Sequence, residues 1–347
     1  MHINRKARRK MTSRLLTVFL ILLVLGISYG FSKVVTFPKL LKVENLKVKC
    51  DRIFVIEGPS VSIYSLDDYK LIKKFGRMGE GPQEFKISPP DYVLRIDVLP
   101  EHIVVNSVKK VSHFTLDGEF VKEKRLQNLY FFLRPLGENF IGESFITEDD
   151  VSYRAFHIYN PDFKQIKEVY RQKHTFQDGK GIFIGKEIPI CQVVKDLIFI
   201  SGKEGFVIDI YDKNGNLHHT FEKPYEKRKM TAEDEKMIHD LLKKEIKGMY
   251  ERVKSMIKIA PEFPVIGNIL FDDQHVYVTT NKEQEGKMEV FMFDIKGKFQ
   301  KKIFLPVVKK DPFRPYPLDF YKGKLYQLID NETTEEWELH VTDIPKK

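Results

Sequence analysis

Apolar positions fall in short runs of four to seven residues through most of the chain, among them "RIFVIE", "VSIYSL", "HIVVN", "AFHIYN", "DLIFIS", "FVIDIY", "HVYVTT", "VFMFDI" and "KLYQLI". The runs are rich in β-branched and aromatic residues and are bounded by Gly, Asp, Asn and Lys, which is the pattern of strands joined by hairpins. One turn recurs: "SLDDYKL" at Asp67, "TLDGEFV" at Asp117, "IYNPDFK" at Asn160, "IYDKNGNL" at Asp212, "MFDIKGKF" at Asp294 and "VTDI" at Asp343. In all but the last, a new strand begins a few residues later, as turn chemistry requires. The gaps between the six markers are 50, 43, 52, 82 and 49 residues. The long gap has a visible cause, because Thr231 to Lys258 departs from the strand pattern. There Met237, Ile238, Leu241, Leu242, Ile246, Met249, Tyr250, Val253, Met256 and Ile257 recur at helical spacing, Thr231 and Asp234 resemble a capping box, and lysines stand near the end. This spacing predicts one helix over residues 231–258, packed on the sheets.

With the helix set aside, six units of about four strands remain, and repetition at 40 to 50 residues is how a β-propeller appears in sequence. The predicted fold is therefore all-β: one six-bladed propeller over residues 31–345, with the helical insertion between blades 4 and 5. The sixth unit offers three strands before the chain stops, whereas "SKVVTFP" at 32–38 precedes the four strands of the first unit. That segment is expected to cross over, pair with the strand around Trp337 to Asp343 and close the last blade, since an open ring would leave strand edges unpaired.

The stretch "FGRMGEGPQEF" at 75–85 is too rich in glycine to pass over. Gly76 and Gly81 have the spacing of a phosphate-binding loop, but Pro82 follows where lysine is needed. A dinucleotide fingerprint fails as well, because Glu84 stands at its third glycine. The stretch reads as a tight connection anchored by Phe85. It resembles the "GxxGxGPGEFxxP" connections of NHL-repeat propellers, and the chain over about residues 31–345 is similar to bacterial six-bladed propellers of that group, including the helical insertion ahead of "FPVIGNILFDDQHVYV". The resemblance implies that Gly76, Gly79, Gly81 and Pro82 shape an inter-blade connection and that Glu84 accepts hydrogen bonds from loop amides. Gln83 replaces the usual glycine, so position 83 is expected to do without positive φ.

The chain opens with Arg5, Lys6, Arg8, Arg9, Lys10 and Arg14 ahead of an apolar run from Leu15 to Phe31. Residues 1–30 are expected to be a signal peptide or an N-terminal membrane anchor, which puts the protein outside the cytoplasm, in the periplasm or cell envelope. These six cations account for most of the formal net charge of +9. The remainder mixes lysine with glutamate, so no nucleic-acid partner is expected. Two cysteines, Cys50 and Cys191, could be bridged or free.

No pattern of catalysis emerges. Metalloprotease spacing and a nucleophile elbow are absent. His218 and His219 are adjacent on a strand and expected on opposite faces. "DKNGN" at 212–216 reads as a hairpin turn and not a calcium loop. The pairs Asp67/Asp68, Asp149/Asp150 and Asp272/Asp273 are expected as solvated turn carboxylates. No catalytic, cofactor-binding or metal-binding residue is assigned, and no cofactor is expected. The sequence is thus read as a monomeric, non-catalytic module that binds a protein, peptide or saccharide and touches the membrane only through its N-terminal segment. The alternative is a metal-assisted hydrolase or lyase with its site in the central channel.

Overall fold

In a computed structural model, the structure describes residues 33–87, 94–126, 133–174 and 181–345. The expected signal or anchor segment lies outside the described residues. Among those described, no helix is long and apolar enough to cross a membrane.

Six four-stranded antiparallel sheets follow one another around a ring. Blade 1 is β2 (Asn45–Lys49), β3 (Arg52–Glu57), β4 (Ser60–Ser65) and β5 (Leu71–Phe75), and blade 2 is β6 (Arg95–Val98), β7 (His102–Ser107), β8 (Lys110–Thr115) and β9 (Phe120–Arg125). Blade 3 is β10 (Leu133–Leu136), β11 (Asn139–Glu148), β12 (Val151–Tyr159) and β13 (Gln165–Lys173). After β14 (Ile182–Ile184), blade 4 is β15 (Ile190–Val194), β16 (Leu197–Ser201), β17 (Phe206–Asp212) and β18 (Leu217–Lys223). The insertion ends in β19 (Ile257–Ile259), which pairs in parallel with β14. Blade 5 is β20 (Ile266–Phe271), β21 (His275–Gln284), β22 (Lys287–Asp294) and β23 (Phe299–Leu305). Blade 6 is β24 (Leu318–Tyr321), β25 (Lys324–Asn331) and β26 (Glu336–Asp343), completed by β1 (Lys33–Phe37) from the other end of the chain. Val35 lies opposite Leu339 and Phe37 opposite Trp337.

Middle strands read as unbroken apolar runs because both their faces are buried. In β3, Ile53 and Val55 pack toward blade 6, while Phe54 and Ile56 pack toward blade 2. The fourth strands lie at the rim and are half exposed, as in β5.

The recurrent turn joins the third strand to the fourth. Asn160, Asp212 and Asp294 each accept backbone amides two and four residues on, at 2.8 to 3.0 Å. Ser65 and Thr115 hold the same place in blades 1 and 2, accepting Asp67 N–H at 3.2 Å and Glu119 N–H at 3.0 Å. The sequence markers Asp67 and Asp117 therefore sit two residues late, because a hydroxyl can do the work of the carboxylate there. A β-bulge follows each of these turns, where Tyr64 faces Leu71, Phe114 faces Phe120, Tyr159 faces Gln165, Tyr211 faces Leu217 and Phe293 faces Phe299.

The insertion corrects one expectation. Helix α1 spans Ala232–Ile246 only, opened by the Thr231–Asp234 capping box. Lys247 turns to φ +39° and stops it, and short helical turns carry the chain on to Met256. Tyr250 folds back so that its hydroxyl meets His239 Nδ1 at 3.0 Å. Ile238 and Tyr250 are buried, whereas Met237, Met249 and Met256 remain exposed. The apolar face drawn on one continuous helix is thus divided between two segments.

The 75–85 connection is built as expected, with one exception. Glu84 accepts Gly81 N–H and Arg77 Nε–H, both at 2.9 Å, and Phe85 is fully buried. Gln83, however, has φ +60°. The tight turn that brings Glu84 N–H to Gly81 O at 3.1 Å demands the left-handed conformation whichever residue stands there.

Candidate ligand cleft between blades 2 and 3

The seams between blades are unequal. Among the described residues, fourteen buried apolar side chains fill the seam of blades 6 and 1, and twelve fill each of the seams 1/2, 4/5 and 5/6. Seam 3/4 has seven, and seam 2/3 has five: Val104, Val111, Leu126, Leu133 and Tyr159. This thinnest seam opens outward into a cavity of about 720 Å³.

Its cause lies in the recurrent turn. The residue just before the closing position of each turn is left-handed: Gly118 in blade 2, Gly215 in blade 4 and Gly297 in blade 5. A Cβ on Gly118 would stand 3.0 Å from Phe75, one on Gly215 3.0 Å from Val169, and one on Gly297 would collide with Ile210. In each case the turn backbone rests against the preceding blade because no side chain intervenes. Blade 3 has Phe163 at this place, with φ +58°. Its ring lies 5.1 Å from that of Phe140 and 5.1 Å from the Lys124 ammonium on blade 2, so it holds the turn away from that blade. Blade 1 has Tyr69 there, but that ring packs against the core of seam 6/1 with Lys33 4.3 Å over it.

The blade 2 wall of the cleft carries His102, Val104, His113 and Val121; the blade 3 wall carries Pro135, Phe140, Pro161 and Phe163. The two imidazoles lie 5.4 Å apart on adjacent strands. Loss of solvation, together with the charges of Lys122 and His102, lowers His113 from 6.5 to about 4, so its ring is neutral at pH 7. Charged groups ring the opening. Lys124 Nζ donates to Asp162 Oδ1 and Pro161 O at 2.8 Å each, and Lys110 Nζ stands 3.2 Å from Glu123. Glu101, Glu138 and Lys122 also line it.

The central channel is arranged differently. Around the axis, β2 touches β6 and β24, β20 touches β24 and β15, and β15 touches β10. Arg134 reaches Asp97 at 3.0 Å and joins blades 3 and 2, while Lys47 stands 3.5 Å from buried Asp319 and joins blades 1 and 6. Burial raises Asp319 despite the N–H of Val48 donating to it at 2.8 Å. Arg95 is lowered to about 9 by loss of solvation and the nearby Arg134 charge. Ion pairs between neighbouring blades fasten the ring at its axis. Among the described residues, no three His, Cys, Asp or Glu side chains converge as metal ligands.

Other residues that drew attention in the sequence are placed as follows. Cys50 and Cys191 are free, and burial pushes the Cys191 thiol up to about 12. The "DKNGN" segment is a hairpin turn with Gly215 at φ +72°. His218 and His219 are not on opposite faces: the bulge between Leu217 and His219 brings their Nδ1 atoms within 2.8 Å. Asp272 is not solvated either. It is buried and accepts from Gln274 N–H, His275 N–H and Tyr277 O–H at 2.7 to 2.9 Å. The cleft itself was missed. Its one local signal is Phe163 at the glycine position of the turn, and that becomes visible only when the turns are aligned on Asn160, Asp212 and Asp294.

No family model matches the chain, and no curated protein matches it. Solved structures do. A crystal structure of a member of the DUF4221 family from Bacteroides vulgatus is similar at 10% identity and a TM-score of 0.53, covering 91% of this chain and 98% of that one. BamB from Moraxella catarrhalis is similar at 8% identity and a TM-score of 0.33, covering 85% of this chain and 71% of that one. At 10% identity the likeness to the DUF4221 structure is one of fold.

Proposed function

We propose that the protein is an exported, NHL-like, non-catalytic binding module of the cell envelope, which takes a protein, peptide or saccharide ligand in the cleft between blades 2 and 3. The observation that carries this reading is Phe163. A bulky residue held left-handed costs about 1 to 3 kcal/mol, and such strain tends to persist at sites of function. Here it sits where the turns of blades 2, 4 and 5 have glycine, and it faces the seam with the fewest buried apolar residues among those described. An apolar cleft with a few polar groups converging on it is the common form of a ligand site. Export rests on the basic and apolar start of the chain, and a reporter fused after Lys347 tests it: activity only from a cytoplasmic reporter overturns it.

A photo-cross-linking amino acid placed at Lys122, on the cleft rim, is expected to capture a discrete adduct in cells. The same group at Glu285, in a distant hairpin turn, should not. Adding Phe163→Gly should abolish the adduct while leaving stability within about 1 kcal/mol of the parent, because relief of strain offsets the lost ring contacts. Equal capture from both positions, or capture indifferent to Phe163→Gly, overturns the assignment. Turnover of lactones, esters or peptides by the pure protein, abolished by chelation, would instead establish the hydrolase or lyase alternative.

A further inference from the structure

The charges around the cleft do not balance, and this deepens the reading just given, on which it rests. Lys124 is engaged by Asp162 and Pro161 O, and Glu123 by Lys110. Glu101, Glu138 and Lys122 remain, and among the described residues they make no ion pair, so two carboxylates and one ammonium line the cleft unpaired. The imidazoles of His102 and His113 make no hydrogen bond among the described residues and line the same cavity. Neutral imidazole offers one ring nitrogen as an acceptor and adds no charge that would repel a cation. The Phe163 ring already accepts an ammonium, that of Lys124, at 5.1 Å.

We propose that the cleft receives a cationic side chain, the lysine or arginine of an extended peptide, with an adjoining apolar side chain against Phe140 and Phe163. The cation is drawn by Glu101 and Glu138 and finds a ring-nitrogen acceptor in His113. The volume of about 720 Å³ lies within the range of roughly 300 to 1,000 Å³ typical of small-ligand pockets, enough for a few residues. A neutral saccharide would leave the surplus carboxylate without a counterpart, and a metal ion would lack a third convergent ligand among the described residues.

Three labelled hexapeptides test this against the purified full chain by fluorescence anisotropy. All carry two phenylalanines, and they differ in bearing two lysines, two glutamines or two glutamates. At ~20 mM salt the lysine peptide is expected to bind about tenfold more tightly than the glutamate peptide, a margin that shrinks at ~500 mM salt where exposed charges are screened. Replacing both carboxylates, Glu101→Gln with Glu138→Gln, should bring the lysine peptide to the level of the glutamine peptide. Phe163→Gly should weaken all three, with melting temperature recorded for every variant. If the glutamate or glutamine peptide binds as tightly as the lysine peptide, and Phe163→Gly still weakens it, the cation is overturned and the cleft stands. If the peptides do not bind, or bind without regard to Phe163→Gly in a folded variant, both the cation and the peptide-binding cleft are overturned.

Discussion

At position 83 the backbone, not the side chain, sets the terms. The turn from Gly81 to Glu84 is closed by its own hydrogen bond and by the Glu84 carboxylate, and Lys110 Nζ donates to Gly81 O at 2.8 Å and Glu84 O at 2.6 Å. So many contacts hold Gln83 left-handed at a cost of about 1 to 2 kcal/mol. Gln83→Gly is expected to raise stability by about 0.5 kcal/mol, the strain relieved less the extra freedom of glycine in the unfolded chain, as measured by urea denaturation. A fall would show that the Gln83 side chain contributes contacts. The roles of Glu84 and Phe85 could be read from the sequence because both act within the loop that contains them. The φ of position 83 could not, since residue type reports a preference and the turn imposes a requirement. Phe163 escaped notice for a related reason: its meaning depends on comparison with Gly118, Gly215 and Gly297, each in another blade.

Among the elements, strands were the easiest to foresee. Runs such as β3 are buried on both faces, so their composition is decided by two neighbouring cores together. The helix was half foreseen: its capping box is local and was legible, whereas the glycine just past its end, Gly248, stands inside an apolar pattern that runs on to Ile257 and hides the stop. The break decides which side chains matter. Ile238→Asp buries a carboxylate and is expected to cost several kcal/mol, while Met237→Asp, on a residue 47% exposed, should change stability by less than about 0.5 kcal/mol. Comparable melting of the two variants would mean the helix does not pack through Ile238. The closing strand gives a second test. Phe37, Leu40 and Val43 belong to the core of seam 6/1, Phe37 lies 4.6 Å edge-on to Tyr64, and Trp337 Nε1 donates to Leu41 O at 3.4 Å. A chain beginning at Val43 should lose several kcal/mol relative to one beginning at Phe31, read as a lower melting temperature. Equal melting would show that β1 is dispensable.

The whole molecule contains imidazoles that burial keeps neutral. His113 is lowered to about 4, and His157, 2% exposed with Ser144 Oγ 3.0 Å from Nδ1 and Glu168 3.2 Å from Nε2, is lowered by burial as well. In the unfolded chain both take up protons as pH falls below about 6.5, and in the fold His113 does so only near 4. Stability should therefore be fully present above pH 6.5 and decline between 6.5 and 4, and His113→Gln should flatten that decline in urea titrations taken pH by pH. An unchanged slope would mean that His113 titrates normally in the fold. The blades were legible because five of the six repeat a turn; the cleft was not, because its walls come from two blades and it opens beside a seam with few buried apolar residues among those described. The closing strand has a consequence in time. Lys33 to Phe37 leaves the ribosome about three hundred residues ahead of its partner, Glu336 to Asp343. At about 5 to 20 residues per second, synthesis holds the two apart for roughly fifteen seconds to a minute. Through that interval the nascent chain carries a bare β1 ahead of a growing arc of blades, and the ring locks only when β1 and β26 are free to meet on the same side of any membrane.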